Sequence, residues 1–294
     1  MGGIAEAVDD NARPAEAMET VAVLIPTLNE ERSIGKVIDA VPVGDLLQDG
    51  LETTVYVVDG RSTDHTREIA VEKGAQLILE EHEGKGSAVQ TAFKLISADY
   101  VIMVDGDDTY PIDEAAEIVR RLQTHDVVVG SRLKGRIEPG AMTRVNIVGN
   151  TLLTLFGRLL FYANVSDVCT GLWGFRREAI RRLELGAEGF DLEADLFAEC
   201  VLKGCSIAEI PITYRARHDC PKLAVRDGFR IGACLLKKRL EHVRSSDTRM
   251  GVELHNEPLG RRRAVDVRAI AGRVSPSNVS SQMVDDDNRE GLKQ

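Results

Sequence analysis

The chain has 294 residues, 43% of them hydrophobic and 29% charged, with 47 acidic against 37 basic side chains and a net charge of -10. A chain of this length supports one large core, and its composition excludes collagen, a coiled coil throughout and full-length disorder. The negative balance has the wrong sign for holding nucleic acid through bulk charge, so no nucleic-acid partner is expected.

Residues 1–19 are polar and acidic, without the basic start and apolar stretch of a secretory signal, and are expected to form a flexible arm. From Thr20 to about Val129, short β-branched runs alternate with helical stretches. VAVLI (Val21 to Ile25), TVYVV (Thr54 to Val58), AQLIL (Ala75 to Leu79), YVIMV (Tyr100 to Val104) and DVVVG (Asp126 to Gly130) read as buried strands. Helical periodicity falls between them, over Glu30 to Ala40, Thr63 to Lys73, Gly86 to Ile96 and Asp113 to Gln123. Strand and helix repeated at this spacing predict an α/β fold, a doubly wound and mostly parallel sheet flanked by helices. In such sheets the ligand sits at the carboxyl ends of the strands.

The most hydrophobic window, Ile147 to Val165, carries Asn150, Thr151, Thr154, Arg158 and Asn164, too many polar groups for a membrane span. It reads instead as an amphipathic helix pair over 144–165, packed on the domain or lying in a membrane interface. Leu192 to Leu202 reads as helix, Ser206 to Tyr214 as strand and Leu223 to Arg244 as a last helix, giving one domain over 20–244. Residues 245–294 carry too few apolar side chains to offset the ordering cost and are expected to be disordered or weakly docked. The five cysteines, Cys169, Cys200, Cys205, Cys220 and Cys234, contain no CxxC pair, which predicts reduced thiols and a cytoplasmic protein.

The loops after successive strands are rich in polar and flexible residues: PTLNE (Pro26 to Glu30), DGRSTDHT (Asp59 to Thr66), EGKGSA (Glu83 to Ala88) and DGDDTYP (Asp105 to Pro111). All four would line one edge of the sheet. Asp105, Asp107 and Asp108 repel one another with no cation beside them in the sequence. That suits a hard divalent ion, although a solvated turn capping the next helix has the same composition. Gly84, Lys85 and Gly86 would allow a phosphate to approach a helix start, or form only a turn. Asp59 would accept hydrogen bonds from a base or ribose, or cap the helix entered at Ser62 to Thr66; Asn29 and Glu30 carry the same two readings. PTLNEE stands where a dinucleotide-binding GxGxxG would, which argues against a Rossmann dehydrogenase.

In this order PTLNE, VVDGRSTDHT, GKGSAV and VDGDDTYP resemble the family 2 glycosyltransferases, whose nucleotide-sugar-binding domain has the GT-A fold. GSRL (Gly130 to Leu133), RVNIVGNTLL (Arg144 to Leu153), VSDVCTGLWGFRREAI (Val165 to Ile180), GFDLEADL (Gly189 to Leu196) and EIPITYRARHDCPKL (Glu209 to Leu223) resemble the dolichyl-phosphate hexosyltransferase branch. Archaeal enzymes that charge dolichyl phosphate with a hexose are the most similar, and some of these open N-glycan assembly. The resemblance covers about residues 20 to 240.

Carried over by position, it implies that Pro26, Asn29 and Glu30 border the nucleotide and Asp59 contacts the base. Asp105 and Asp107 would hold Mg2+ or Mn2+ on the diphosphate, with Arg217 and Lys222 closing over it; the chemistry of a departing diphosphate adds Lys85 as a further cation. Arg132 would lie near the donor and, with Arg144 and Asn146, at the acceptor phosphate. The family commonly has Ser in place of Asn146, and RARHDCPKL is one residue shorter than its usual spacing. Glu193 and Asp195 fall where many such enzymes keep a catalytic carboxylate, and they also suit a helix first turn. Trp173 would stack near the acceptor mouth or fill the core.

These residues predict a metal-dependent, inverting transfer of a hexose from UDP-glucose, GDP-mannose or a similar donor to dolichyl or polyprenyl phosphate. An anionic lipid phosphate needs a cationic seat more than a general base. The expected location is cytoplasmic, peripheral on the membrane surface. Two alternatives are a transferase with a soluble acceptor such as phosphoglycerate and a non-catalytic nucleotide-sugar-binding subunit.

Overall fold

The structure, a computed structural model, describes residues 18–217 and 225–256, with side chains described for 18–217 and 227–244. Most of the expected arm, Lys222 and the tail beyond Asn256 lie outside the described residues. The chain divides into two units, Met1–Ser246 and Asp247–Gln294, and the fold set out here is that of the first.

In chain order the described elements are β1 (Glu19–Thr27), α1 (Ile34–Asp39), α2 (Val43–Gln48), β2 (Leu51–Asp59), α3 (Thr66–Glu72), β3 (Gln76–Leu79), α4 (Lys85–Leu95) and β4 (Tyr100–Met103). A 3-10 turn at Ile112–Glu114 leads into α5 (Ala115–Leu122), β5 (Val127–Ile137), α6 (Arg144–Phe161), β6 (Trp173–Arg176), α7 (Arg177–Ile180), α8 (Leu192–Leu202), β7 (Ile207–Tyr214) and α9 (Val225–Asn256). The strands form one sheet in the order β3-β2-β1-β4-β6-β5-β7. Only β6 runs against its neighbours; the other described pairings are parallel.

The central strand β1 is buried on both faces because its apolar run is continuous. Alternate residues feed opposite layers. Ala22 and Leu24 pack with α4, α8 and α9, while Val21, Val23 and Ile25 pack with α1, α3 and α5. Both layers are therefore helical, as a doubly wound sheet requires. Thr27 pairs in register with Asp59, and Leu24 with Met103, so the carboxyl ends of β2, β1 and β4 lie side by side.

The structure departs from the sequence reading in several places, the short helices α2 and α7 among them. Strand β6 was not anticipated, because GLWGF lacks a β-branched run. It forms where Gly174 lets α5 lie on the strand: a Cβ there would meet the Ile118 side chain at 2.3 Å. Strand β5 continues past Gly130, and Gly135 passes against the backbone of Ile212. The expected helix pair over 144–165 is a single helix, α6, which ends at Tyr162 in the left-handed conformation with φ 53°. The last helix continues past Arg244 as far as Asn256, into the stretch expected to be disordered or weakly docked. The stretch SSDTRMGVELHN holds no proline, and Pro258 stands just beyond the observed end.

Candidate active site

The first two loops of the strand rim are tied together. Asn29, at φ 55°, donates its backbone N–H to Ser62 Oγ (2.8 Å) and accepts from the Thr63 N–H on Oδ1 (2.8 Å). The Glu30 N–H donates to Thr66 Oγ1 at 2.8 Å. Asp59 is fully buried; it accepts from the Ser62 N–H at 2.9 Å and pairs with Arg67. Its carboxylate organises the loop between β2 and α3, and its contact with a base stays a proposal. Pro26, opposite Val58 in β1, is buried as well.

The third and fourth loops place charge beside this frame. Lys85, at the start of α4, bridges Asp105 and Glu193, the latter at 2.5 Å. Asp105 fits because residue 171 is glycine: a Cβ there would stand 2.3 Å from Asp105 Oδ2. Arg217 joins Glu30 at 2.8 Å to Asp107 at 3.0 Å, linking the first loop to the fourth. The other Asp107 oxygen accepts from Thr109 Oγ1 at 2.6 Å. Asp108, at φ 61°, turns to Arg215 at 3.6 Å and away from this group.

Burial, and then the charge of Asp105, raises the Asp107 carboxyl above the ordinary carboxylate range. Burial raises Glu193 as well, against the pull of Lys85. For Lys85, burial acts downward, but Asp105 and Glu193 outweigh it and hold the ammonium firmly charged.

Several expected site residues serve elsewhere. Asp195 is fully buried, accepts from the Gly186 and Ala187 N–H groups at 2.6 and 2.8 Å, and pairs with Lys238 at 2.7 Å. Two positions apart on α8, Glu193 and Asp195 point about 200° apart around the helix, so only Glu193 meets the rim. Arg132 is gripped by Asp167 through two hydrogen bonds of 2.8 Å, donates to the Cys169 carbonyl at 2.7 Å and lies over the Tyr214 ring at 5.3 Å. These contacts make it part of a buried frame, and its place at a donor or acceptor phosphate stays a proposal. Gly84 and Gly86 do allow a close approach, but to the chain's own carbonyls: the Gly86 N–H donates to Glu188 O at 2.8 Å. The N–H at this helix start is thus engaged by the backbone, contrary to a phosphate cradle. Trp173 is fully buried and donates to the Thr170 carbonyl at 2.7 Å, a core role.

Arg144 and Asn146 sit exposed on the first turn of α6, where Thr143 caps the helix by accepting from the Asn146 N–H at 3.1 Å. Sequence reasoning missed Arg67, Asp167 and Tyr214. Asp167 carried a signal, being a lone charge in VSDVCTG, where a carboxylate survives burial only with a partner.

Asp105 and Asp107 are hard oxygen donors whose mutual repulsion a divalent cation would relieve, so the donor set fits Mg2+ or Mn2+. Among the described residues no group of three or more His, Cys, Asp or Glu could hold a metal. Two carboxylates would suffice where substrate phosphate oxygens complete the shell.

Comparison with known proteins agrees with this architecture. The Glycosyl transferase family 2 model matches residues 22–184. Glycosyltransferase AglJ of Haloferax volcanii is 36% identical over 203 residues, which cover 68% of this chain and 65% of the relative. Low-salt glycan biosynthesis hexosyltransferase Agl6 of the same organism is 36% identical over 215 residues, 72% of this chain and 52% of the relative, so the chain spans well short of the full length of both. The Dolichyl-phosphate hexose transferase of that organism is 36% identical over 225 residues, covering 76% of this chain and 95% of the relative. Among solved structures, glucosyl-3-phosphoglycerate synthase from Mycobacterium tuberculosis in complex with phosphoglyceric acid superposes with a TM-score of 0.60 at 26% identity, covering 75% of this chain and 80% of that one. The same enzyme in complex with Mn2+, uridine-diphosphate and glucosyl-3-phosphoglycerate gives a TM-score of 0.60 at 25% identity over the same shares. With its seven-stranded sheet, its acidic strand rim and this match, the chain belongs to glycosyl transferase family 2 and has the GT-A glycosyltransferase fold.

Proposed function

We propose that the protein transfers a hexose, with inversion, from a nucleotide sugar to dolichyl or another polyprenyl phosphate, using Mg2+ or Mn2+. The observation that carries this is the meeting of Lys85, Asp105 and Glu193 with the Glu30–Arg217–Asp107 chain at the carboxyl ends of adjacent parallel strands. A cation held by Asp105 and Asp107 would neutralise the leaving diphosphate. Lys85 and Arg217, already beside those carboxylates, supply fixed positive charge where negative charge grows in the transition state. Lys222, assigned to the same task, lies outside the described residues.

A lipid monophosphate attacks as an anion, so Glu193 need not take a proton from it. Arg144 is an exposed cation directly before an apolar surface suited to a polyprenyl chain. That surface is one face of α6: Val145, Leu152, Leu155 and Leu159 are 68, 61, 50 and 65% exposed, and the helix contains no acidic residue. Apolar side chains held in water over five turns, with Arg144 and Arg158 at either end, suit a peripheral site on an anionic bilayer. None of the described helices is long and apolar enough to cross a membrane. The similarity to a dolichyl-phosphate hexose transferase supports the lipid acceptor; a role in protein N-glycosylation and a place at the cytoplasmic face are part of the same proposal.

A second reading, transfer to phosphoglycerate, is favoured by the superposition on the glucosyl-3-phosphoglycerate synthase. That acceptor attacks through a neutral hydroxyl and would need Glu193 as a base. The two separate when labelled UDP-glucose and GDP-mannose are incubated with protein, Mg2+ or Mn2+ and each acceptor, and the products are extracted. The proposal predicts label in the organic phase with dolichyl phosphate; label only in the aqueous phase with phosphoglycerate would reverse it.

A further inference from the structure

A second charged cluster lies behind the rim and holds the loop on which Lys85 depends. Lys238 of α9 pairs with Asp195 at 2.7 Å and Glu199 at 2.8 Å, and donates to the Glu184 carbonyl at 2.8 Å. Glu199 also accepts from the Glu184 N–H at 3.0 Å, and Asp195 from the Gly186 and Ala187 N–H groups. The segment from Glu184 to Ala187 is thus fixed by one lysine and two carboxylates of α8. Its far side is fixed to α4: Glu188 O accepts from the Gly86 N–H at 2.8 Å and the Ser87 N–H at 3.3 Å, and Ala187 O from Gln90 Nε2 at 2.9 Å. A Cβ on either Gly84 or Gly86 would come within 2.1 Å of these carbonyls, so the two backbones have no slack between them. Lys85 is the residue between those glycines, and its side chain reaches Asp105 and Glu193.

We propose that Asp195 and Lys238 are positioning residues for the transfer reaction: a latch between α8 and α9 that sets the 184–188 loop, and through it the place of the Lys85 ammonium. The inference rests on the proposed function for the word transfer, but not for the existence of the latch. Lys238 touches no rim residue among its described contacts. Its effect runs through the backbone of two tightly apposed loops, so displacing the loop displaces Lys85, and small misplacements of a charged group are costly to rate.

The test reads hydrogen exchange at the Gly86 and Ser87 amides together with turnover, in the wild type, Lys238→Arg, Lys238→Met and Asp195→Asn. The methionine variant should exchange faster at both amides and lose on the order of 10- to 100-fold in kcat, with donor KM nearly unchanged. The arginine variant, which keeps the charge, should restore most of both. In a Lys85→Met background, Lys238→Met should cost no further turnover, since its effect is exerted through a side chain already removed. Asp195→Asn, which keeps the shape, gives the same signs should the methionine variant fail to fold. Unchanged exchange at Gly86 and Ser87 overturns the latch, as does faster exchange with unchanged kcat, or a full additional loss in the Lys85→Met background. A wild type that transfers hexose to no acceptor defeats the proposed function instead, and the exchange data then decide the latch alone.

Discussion

The strand rim and the outer face of α6 break the ordinary rules of a folded surface in opposite directions. At the rim, charge is buried: Asp59, Asp107, Glu30 and Glu193 lie largely inside, each beside a basic partner in Arg67, Arg217 or Lys85. On α6, apolar side chains are exposed in a stripe from Val145 to Tyr162. A buried charge is tolerated only with a partner within the fold, whereas an exposed apolar stripe has its partner outside it. The rim is thus self-contained and ready for a charged, water-soluble donor. On the proposed function, the α6 face would be covered by the lipid that accepts the sugar.

Substitutions at the rim and on α6 should therefore fail in different assays. The largest effect is expected for Asp105→Ala and Asp107→Ala, each lowering hexose transfer about a thousandfold. Circular dichroism should remain that of the wild type, and addition of a chelator to the wild type should reproduce the loss until Mg2+ or Mn2+ is restored. Retention of turnover in either variant would remove the cation from the mechanism.

Arg132→Ala tests whether the buried frame behind the rim is structural. Asp167 would be left buried without its bidentate partner, which costs about 3 to 5 kcal/mol in urea unfolding. A variant as stable as the wild type but inactive would return Arg132 to the substrate.

The α6 stripe should behave in the reverse way. Leu152→Glu, Leu155→Glu and Leu159→Glu combined should abolish sedimentation with anionic vesicles containing dolichyl phosphate, while each changes unfolding free energy by no more than about 0.5 kcal/mol. Vesicle binding that survives all three places the lipid surface elsewhere.

The smallest effect concerns pH. Glu80 accepts from His82 N at 2.8 Å, and hydrogen bonds from Thr91 and His82 lower its carboxyl to about 2 from the ordinary 4.5. Its folded value lies below its unfolded one, so its contribution to stability is present above pH 4.5 and is lost as pH falls toward 2. Glu80→Gln should flatten the fall in melting temperature across that window. An unchanged slope would show that the carboxylate is not held this way.

The sequence displayed the rim more fully than the α6 face, and for physical reasons. A carboxylate or glycine placed directly after an apolar β-branched run marks a strand end, so the sequence alone places the loops after β1, β2, β3 and β4 on one edge. Which of their side chains face a ligand is a different matter. Asp59 and Arg132 have the right residue type in the right motif, but Arg67 and Asp167 claim them, and those partners are 8 and 35 residues away. Glu193 and Asp195 looked alike in sequence until the helix phase separated them. The stripe on α6 had the same difficulty in apolar form: Leu, Phe and Val at helical spacing describe a core face as well as an exposed one, and only packing shows that Thr154, Gly157 and Phe161 face inward. Strand β6 was missed because Gly171 and Gly174 are there for close approach and carry no strand preference of their own.

The most direct test of the account is calorimetric titration of UDP and GDP, with and without Mn2+, into the wild type and Asp107→Asn. The account predicts that a nucleoside diphosphate binds the wild type only with the cation, and that the variant loses this dependence along with most of the affinity. Equal binding by both proteins, or binding indifferent to Mn2+, would contradict a cation-bridged diphosphate at the ends of β1, β2 and β4.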